Sequence, residues 1–145
     1  MDPALIDEIR MHIGLGPVTF GMTRDEVAEA MGSMPRRFKK TVACTTLTDA
    51  FDLQGLQVFY DEQDRVEALE VFSPARPHFG DLDLFSTPYA ALVEIMRAQD
   101  PDLQEDELGF TSNALGFGVY AEHKDEDPER PSEGVIVFRK GYYEG

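Results

Sequence analysis

GPVTFGMTRDEVAEAMG, residues 16–32, is the stretch from which the rest of the chain can be read. Val18 and Phe20 give a short extended piece. Thr23 then supplies an N-cap, and Glu26 three residues later completes a capping box. Val27, Ala30 and Met31 share one side of the helix that follows, and Gly32 supplies a left-handed stop. A strand, a cap, a short amphipathic helix and its end are all encoded locally.

Upstream, Asp2-Pro3 reads as a helix start with proline at the first helical position. Leu5, Ile6, Ile9 and Ile13 recur at helical spacing, and Gly14 and Gly16 end the pattern, which predicts a first helix over 2–13. Downstream, Arg36, Arg37, Lys39 and Lys40 form the one basic cluster, and the β-branched run Thr41 to Thr48 favours a strand. Residues 55–60 alternate as a strand, Asp61-Glu62-Gln63-Asp64 is a turn, and Val66 to Phe72 returns as a hairpin partner. Residues 73–77, with two prolines, form a connector.

The second half follows the same plan. Ser86-Thr87-Pro88 reads as another N-cap with proline at the first helical position, and Tyr89, Leu92, Val93 and Met96 form an apolar helix face that Asp100-Pro101 ends. Gly109 to Thr111 and Leu115 to Tyr120 read as strands, with Leu115, Phe117 and Val119 facing one way and Gly116, Gly118 and Tyr120 the other. Residues 121–133 form a charged loop, residues 134–139 a last strand, and Gly141-Tyr142-Tyr143 closes the chain. FGMTRDEVAEAMG parallels LFSTPYAALVEIM, LQGLQVFYDE parallels NALGFGVYAE, and RVEALEVF parallels EGVIVFRK. The expected fold is therefore α+β: one domain over 1–145, with related helix-plus-β-meander halves at about 14–75 and 78–140. The halves would join in one antiparallel sheet, with the helices on one face and the other face open.

The Gly-Met-Thr turn at 21–23, the helix and glycine after it, and a meander ending in Tyr60-Asp61 carry a resemblance. This unit resembles the helix-then-meander module of outer-membrane assembly lipoproteins of the SmpA/OmlA type, whose tandem copies build beta-lactamase inhibitor protein. It also resembles small immunity proteins found beside bacterial polymorphic toxins. The likeness covers residues 14–72 well and the second half loosely, and the Gly-Met-Thr motif is structural. The sequence has no lipobox cysteine near its start and no cysteine pair of the kind that staples secreted inhibitors, so the resemblance implies a cytosolic immunity-like protein.

Composition agrees with a binding role without fixing it. The 145 residues carry 28 acidic and 13 basic side chains, a net charge of −15 shared by both halves. Such a surface repels nucleic-acid backbones and anionic membranes and attracts basic proteins, and it also serves solubility alone. A single cysteine, Cys44, allows no intrachain disulfide and fits a reducing compartment. No apolar run approaches the ~20 residues a membrane helix needs, and MDPALIDEIRMHIG lacks the basic n-region of a signal peptide. A cytoplasmic location is the expectation.

The catalytic motifs fail one by one. Gly14-Leu15-Gly16 follows a predicted helix and lacks a Lys-Ser/Thr pair, so neither nucleotide fingerprint fits. His12, His78 and His123 have no partner at zinc-ligand spacing. The loop at His123–Glu129 has Arg130 where a calcium loop begun at Asp125 would need glycine, and the acids from Asp100 to Glu107 read as a solvated loop. Cys44 has no nearby base and reads as a small buried hydrophobe. The basic cluster reads as edge decoration. No catalytic, cofactor or metal residue is assigned.

What remains is aromatic and acidic. Tyr60, Tyr120, Tyr142 and Tyr143 lie at strand ends and the C-terminus. Asp61, Glu62 and Asp64 flank the first hairpin, and Asp125, Glu126 and Asp127 lie in the second charged loop. Together they are the candidate surface for a basic protein partner, although the tyrosines could equally cap the core. The leading expectation is an immunity protein that occludes a cognate, basic toxin such as a nuclease or nucleic-acid-modifying enzyme. The alternative is a non-enzymatic structural or regulatory domain that self-associates through a sheet edge.

Overall fold

The capped helix forms as its local sequence dictates. Thr23 Oγ1 accepts from the Glu26 amide at 3.2 Å, and Glu26 Oε1 accepts from the Thr23 amide at 3.0 Å. Gly32 closes the helix at φ 70°, a left-handed conformation that glycine adopts without steric cost. Thr23→Ala is expected to lower stability by about 1 kcal/mol, read as a lower urea midpoint at unchanged m-value.

The computed structural model describes residues 7–43 and 45–143. In chain order the elements are β1 (Ile9–Arg10), β2 (Gly14–Leu15), β3 (Val18–Thr19), α1 (Arg24–Met31), β4 (Arg36–Phe38), β5 (Thr48–Phe51), β6 (Leu56–Tyr60) and β7 (Val66–Phe72). They continue with β8 (His78–Phe79), β9 (Leu82–Asp83), α2 (Tyr89–Gln99), β10 (Gln104–Glu105), β11 (Gly109–Ser112), β12 (Phe117–Tyr120) and β13 (Gly134–Phe138). Eight strands form one antiparallel sheet in the order β10-β11-β12-β13-β7-β6-β5-β4, so the chain is a small α+β protein. At the sheet's centre β7 pairs with β13, placing Leu69 opposite Val137, Glu70 opposite Ile136 and Val71 opposite Val135.

The pleat then sorts the side chains. Leu56, Val58 and Tyr60, Leu69 and Val71, Val135 and Val137, and Phe117 and Val119 enter one apolar core, which also takes Val27 and Met31 of α1 and Leu92 and Met96 of α2. Each such burial is worth roughly 1.5–3 kcal/mol, and this supplies most of the driving force. The intervening residues, among them Phe59, Glu70, Phe72, Tyr120 and Ile136, lie on the opposite, open side.

Three local expectations are corrected. No helix precedes β2 among the described residues; the part of the predicted first helix at residues 2–6 lies outside them. Ile9 pairs with Leu15 in an antiparallel ribbon, and Ile13 is exposed. The Arg10 guanidinium holds this ribbon by donating to the Gly16 carbonyl at 2.6 Å and to Thr19 Oγ1 at 3.2 Å. His12, expected on a helix, adopts φ 61° in the turn, its Nε2 lying 2.8 Å from the Ala114 carbonyl.

At α2 the cap position falls on Pro88, with Tyr89 as the first helical residue and no side-chain cap. Ser86 and Thr87 donate instead to Asp83, whose carboxylate and carbonyl lie within reach one turn earlier. The strand expected over Thr41 to Thr48 begins only at Thr48. Cys44 lies outside the described residues. Among the described residues no helix is long and apolar enough to cross a membrane.

Candidate functional site

The second half of the sheet's open side carries a recessed cleft of ≈ 480 Å³. Its floor is glycine: Gly109, Gly118 and Gly134 lie on the three neighbouring strands β11, β12 and β13, with Thr111 opposite Gly118 and Tyr120 opposite Gly134. Neighbouring atoms stand where Cβ atoms would be, the Phe110 carbonyl oxygen 2.8 Å from that position at Gly118 and the Phe72 ring 3.1 Å at Gly134, so the strands pack closely at the floor and larger side chains around it form the walls. Phe72, Leu108, Tyr120, Ile136 and Tyr143 make these walls apolar and aromatic, while Glu70 and Asp106 are the charged residues that line the cleft. Both are acids.

The chain's end shapes one side. After β13 a turn brings Tyr142 and Tyr143 back over Phe138, with ring centroids 6.0 and 4.9 Å from it and 4.9 Å from each other. Phe138, an open-side residue by alternation, is therefore only 2% exposed, while Tyr143 stays 54% exposed at the cleft. Tyr120 is 38% exposed and its hydroxyl donates to Glu122 at 3.2 Å.

Elsewhere on the open side, on β6, an aromatic is already covered by a cation. Lys40 Nζ stands 4.3 Å from the centre of the Phe59 ring and 3.8 Å from Glu70 Oε2. None of the described cations of the chain stands over Tyr120.

Comparison with known protein families, curated proteins and solved structures finds no match. The site therefore rests on its own geometry.

The sequence-predicted residues fall in different parts of that geometry. Tyr120, Tyr142 and Tyr143 do gather on the open side. Asp61 and Glu62 line a polar hollow that Tyr142 also borders, but Asp61 is engaged in its turn, accepting from the amides of Gln63 and Arg65. Asp64 pairs with Arg24 at 3.0 Å. Asp125, Glu126 and Asp127 are exposed in the loop after β12, where His123 braces the backbone through the carbonyls of Asp127 and Pro131.

Tyr60 is a correction. It is 2% exposed, because the alternation that buries Leu56 and Val58 buries it as well. The Arg24 guanidinium lies 4.0 Å from its ring centre, and Asp49 completes the cluster. Its ring packs in the core, not at a strand end open to solvent.

Three members of the basic cluster, Arg36, Arg37 and Lys40, are paired with carboxylates of the chain. Arg36 forks onto Asp52 at 3.0 and 3.1 Å, and Arg37 onto Asp49 at 2.7 and 3.1 Å, on the edge strand β4. Phe72, Leu108, Ile136, Glu70, Asp106 and the glycine floor did not stand out in the sequence. The available signal was the glycine at alternate positions of the β12 run, which marks close backbone approach. Among the described residues no group of three or more His, Cys, Asp or Glu side chains could hold a metal ion.

The tyrosines give the site a pH signature. Burial first, and then Tyr143 and the carboxylates of Glu67 and Glu70, push the Tyr142 phenol up to about 12 from its ordinary 10. Tyr143 is raised by burial and Glu70, and Tyr120 by its bond to Glu122. Tyr60 and Tyr89 are raised chiefly by burial. The unfolded chain sheds these protons first, so the stability concerned is intact below the ordinary value of 10 and is lost as pH climbs toward about 12. Absorbance titration is expected to show phenolate lagging behind free tyrosine until the protein unfolds. Tyr142→Phe should flatten the upper part of the stability profile.

Proposed function

We propose that this chain is a non-catalytic, cytosolic, bacterial immunity-type protein that uses the open side of its sheet to bind and occlude a basic toxin. The observation that carries this reading is the recessed cleft, walled by exposed aromatic residues and lined by carboxylates, on a molecule of net charge −15. Exposed aromatics around a recess make anchors, and diffuse negative charge speeds encounter with a cationic partner.

The reading includes a two-half architecture with both helices on the core side. Local correspondences support it. The Phe72 amide donates to the Gly55 carbonyl at 2.8 Å, and the Phe138 amide to the Gly116 carbonyl at 3.0 Å. Thr23, just before α1, bridges to Arg65, and Pro88, just before α2, bridges to Pro131. A two-strand ribbon with a glycine turn, β2-β3 or β8-β9, leads into each helix. These matches pair Phe59 with Tyr120, one residue away from the alignment of Tyr60 with Tyr120 that the sequence invites. They also set the Arg24–Asp49–Arg37 cluster against Tyr89, whose hydroxyl donates to Glu105 at 2.8 Å beside Phe110.

Self-association through a sheet edge fits less well. The edges β4 and β10 are short and charged, which disfavours strand addition. Co-expression with the product of the adjacent gene tests the main reading. A stable complex on size exclusion and restored growth are expected; no complex together with no rescue would overturn it.

A further inference from the structure

We infer that the glycine-floored cleft is a subsite for one guanidinium group, an arginine side chain presented by a protein partner. The inference rests on the occlusion reading for its biological setting, but the chemistry is carried by the cleft itself. A long side chain with an apolar stem and a cationic head suits a recess whose walls are Phe72, Tyr120, Ile136 and Tyr143 and whose charged lining is Glu70 and Asp106.

The chain shows the preference twice within itself. In the first half, Lys40 covers Phe59 and reaches Glu70. In the core, the Arg24 guanidinium lies on the Tyr60 ring and pairs with Asp49. Tyr120 is the counterpart of Phe59 when the halves are matched through the Gly55 and Gly116 carbonyl bonds. It has the ring and the nearby acids, with no described cation of the chain over the ring. Its hydroxyl is bonded to the Glu122 carboxylate, which makes the ring a better partner for positive charge.

Two properties select arginine over lysine. The guanidinium is planar, so it can stack on Tyr120 or Phe72 while its fork meets a carboxylate, and it is more weakly hydrated than an ammonium, so entry into the recess costs less. The cleft itself, ≈ 480 Å³ beside Phe72, Tyr120 and Ile136, has room for a flat group.

N-acetyl-argininamide titrated into the isotope-labelled protein, followed by amide shifts, tests the subsite. Saturable shifts centred on Gly109, Gly118 and Gly134 are expected, and they should weaken as salt rises. The uncharged citrulline analogue should leave them unmoved. Glu70→Gln should weaken binding roughly fivefold, and Ile136→Trp, which fills the recess, should abolish it. Tyr120→Leu, which removes a ring from the wall, gives a second variant expected to lose binding should the tryptophan disturb folding, which the same spectra report. Equal response to citrulline, or no shifts at the three glycines, would overturn the subsite. The probe contains no toxin, so its failure leaves the occlusion reading standing. Loss of the partner complex beside an intact probe response overturns occlusion and keeps the subsite.

Discussion

Replacing Asp49 by alanine is expected to lower stability by about 3 kcal/mol, the cost of leaving a largely desolvated charge without its buried partner. The Asp49 side chain is 1% exposed; it accepts the Arg37 fork at 2.7 and 3.1 Å and forms an ion pair with Arg24 Nη1 at 3.0 Å. The two cations fare differently once it is gone. Arg37 is half-exposed and can turn to water. Arg24 is pinned over the Tyr60 ring and bonded to the Leu47 carbonyl at 2.9 Å, so it would stay where it is, left with the exposed Asp64 at 3.0 Å as its one carboxylate. For a chain of this length the loss corresponds to a melting point about 6–12 °C lower. Thermal unfolding monitored by circular dichroism reads it. Arg37→Ala should cost clearly less than Asp49→Ala; equal costs would mean that the Arg24 contact is not what matters.

The second large effect is expected at Gly109. Its φ of +155° belongs to a region essentially reserved for glycine, and a Cβ there would collide with the Val119 carbonyl oxygen across the β11–β12 pairing. Gly109→Ala should therefore cost at least ~3 kcal/mol, the sum of a backbone penalty and a displaced strand. Gly134 lies in the same floor at an ordinary φ, and its added Cβ would come within 3.1 Å of the Phe72 ring edge, a side chain able to shift. Gly134→Ala should cost about 1 kcal/mol. Denaturant unfolding of the pair separates the two arguments. Similar losses would show that the conformation at Gly109 carries no special weight.

What could be read from the chain beforehand was what neighbours in sequence decide. The Thr23–Glu26 box, the Gly32 stop, the hairpin at Asp61–Asp64 and the inward set Leu115, Phe117, Val119 all depend on residues a few positions apart. Over residues 7–13 the expected helix gives way to a ribbon because Ile9 and Ile13 satisfy a helical spacing over a stretch too short to exclude one, and the Arg10 bonds to Gly16 and Thr19 favour it. Tyr60 was misplaced by being read as a strand end, although its parity with Leu56 and Val58 puts it inside. The cleft was illegible for a different reason. Gly109, Gly118 and Gly134 come together only through the registers of β11, β12 and β13, and those are set by pairings that no local pattern encodes. Aromatic and acidic character could be seen in the sequence; the recess between them could not.

The central claim is that the open side of the sheet is the surface that meets a basic partner. Hydrogen exchange on the complex with the adjacent gene's product, compared with the free protein, tests it most directly. Slowed exchange is expected at residues 106–120 and 134–143, around the glycine floor and the Tyr142-Tyr143 turn, with little change at α1 and α2. Protection centred on the two helices, with the cleft strands unchanged, would contradict the account.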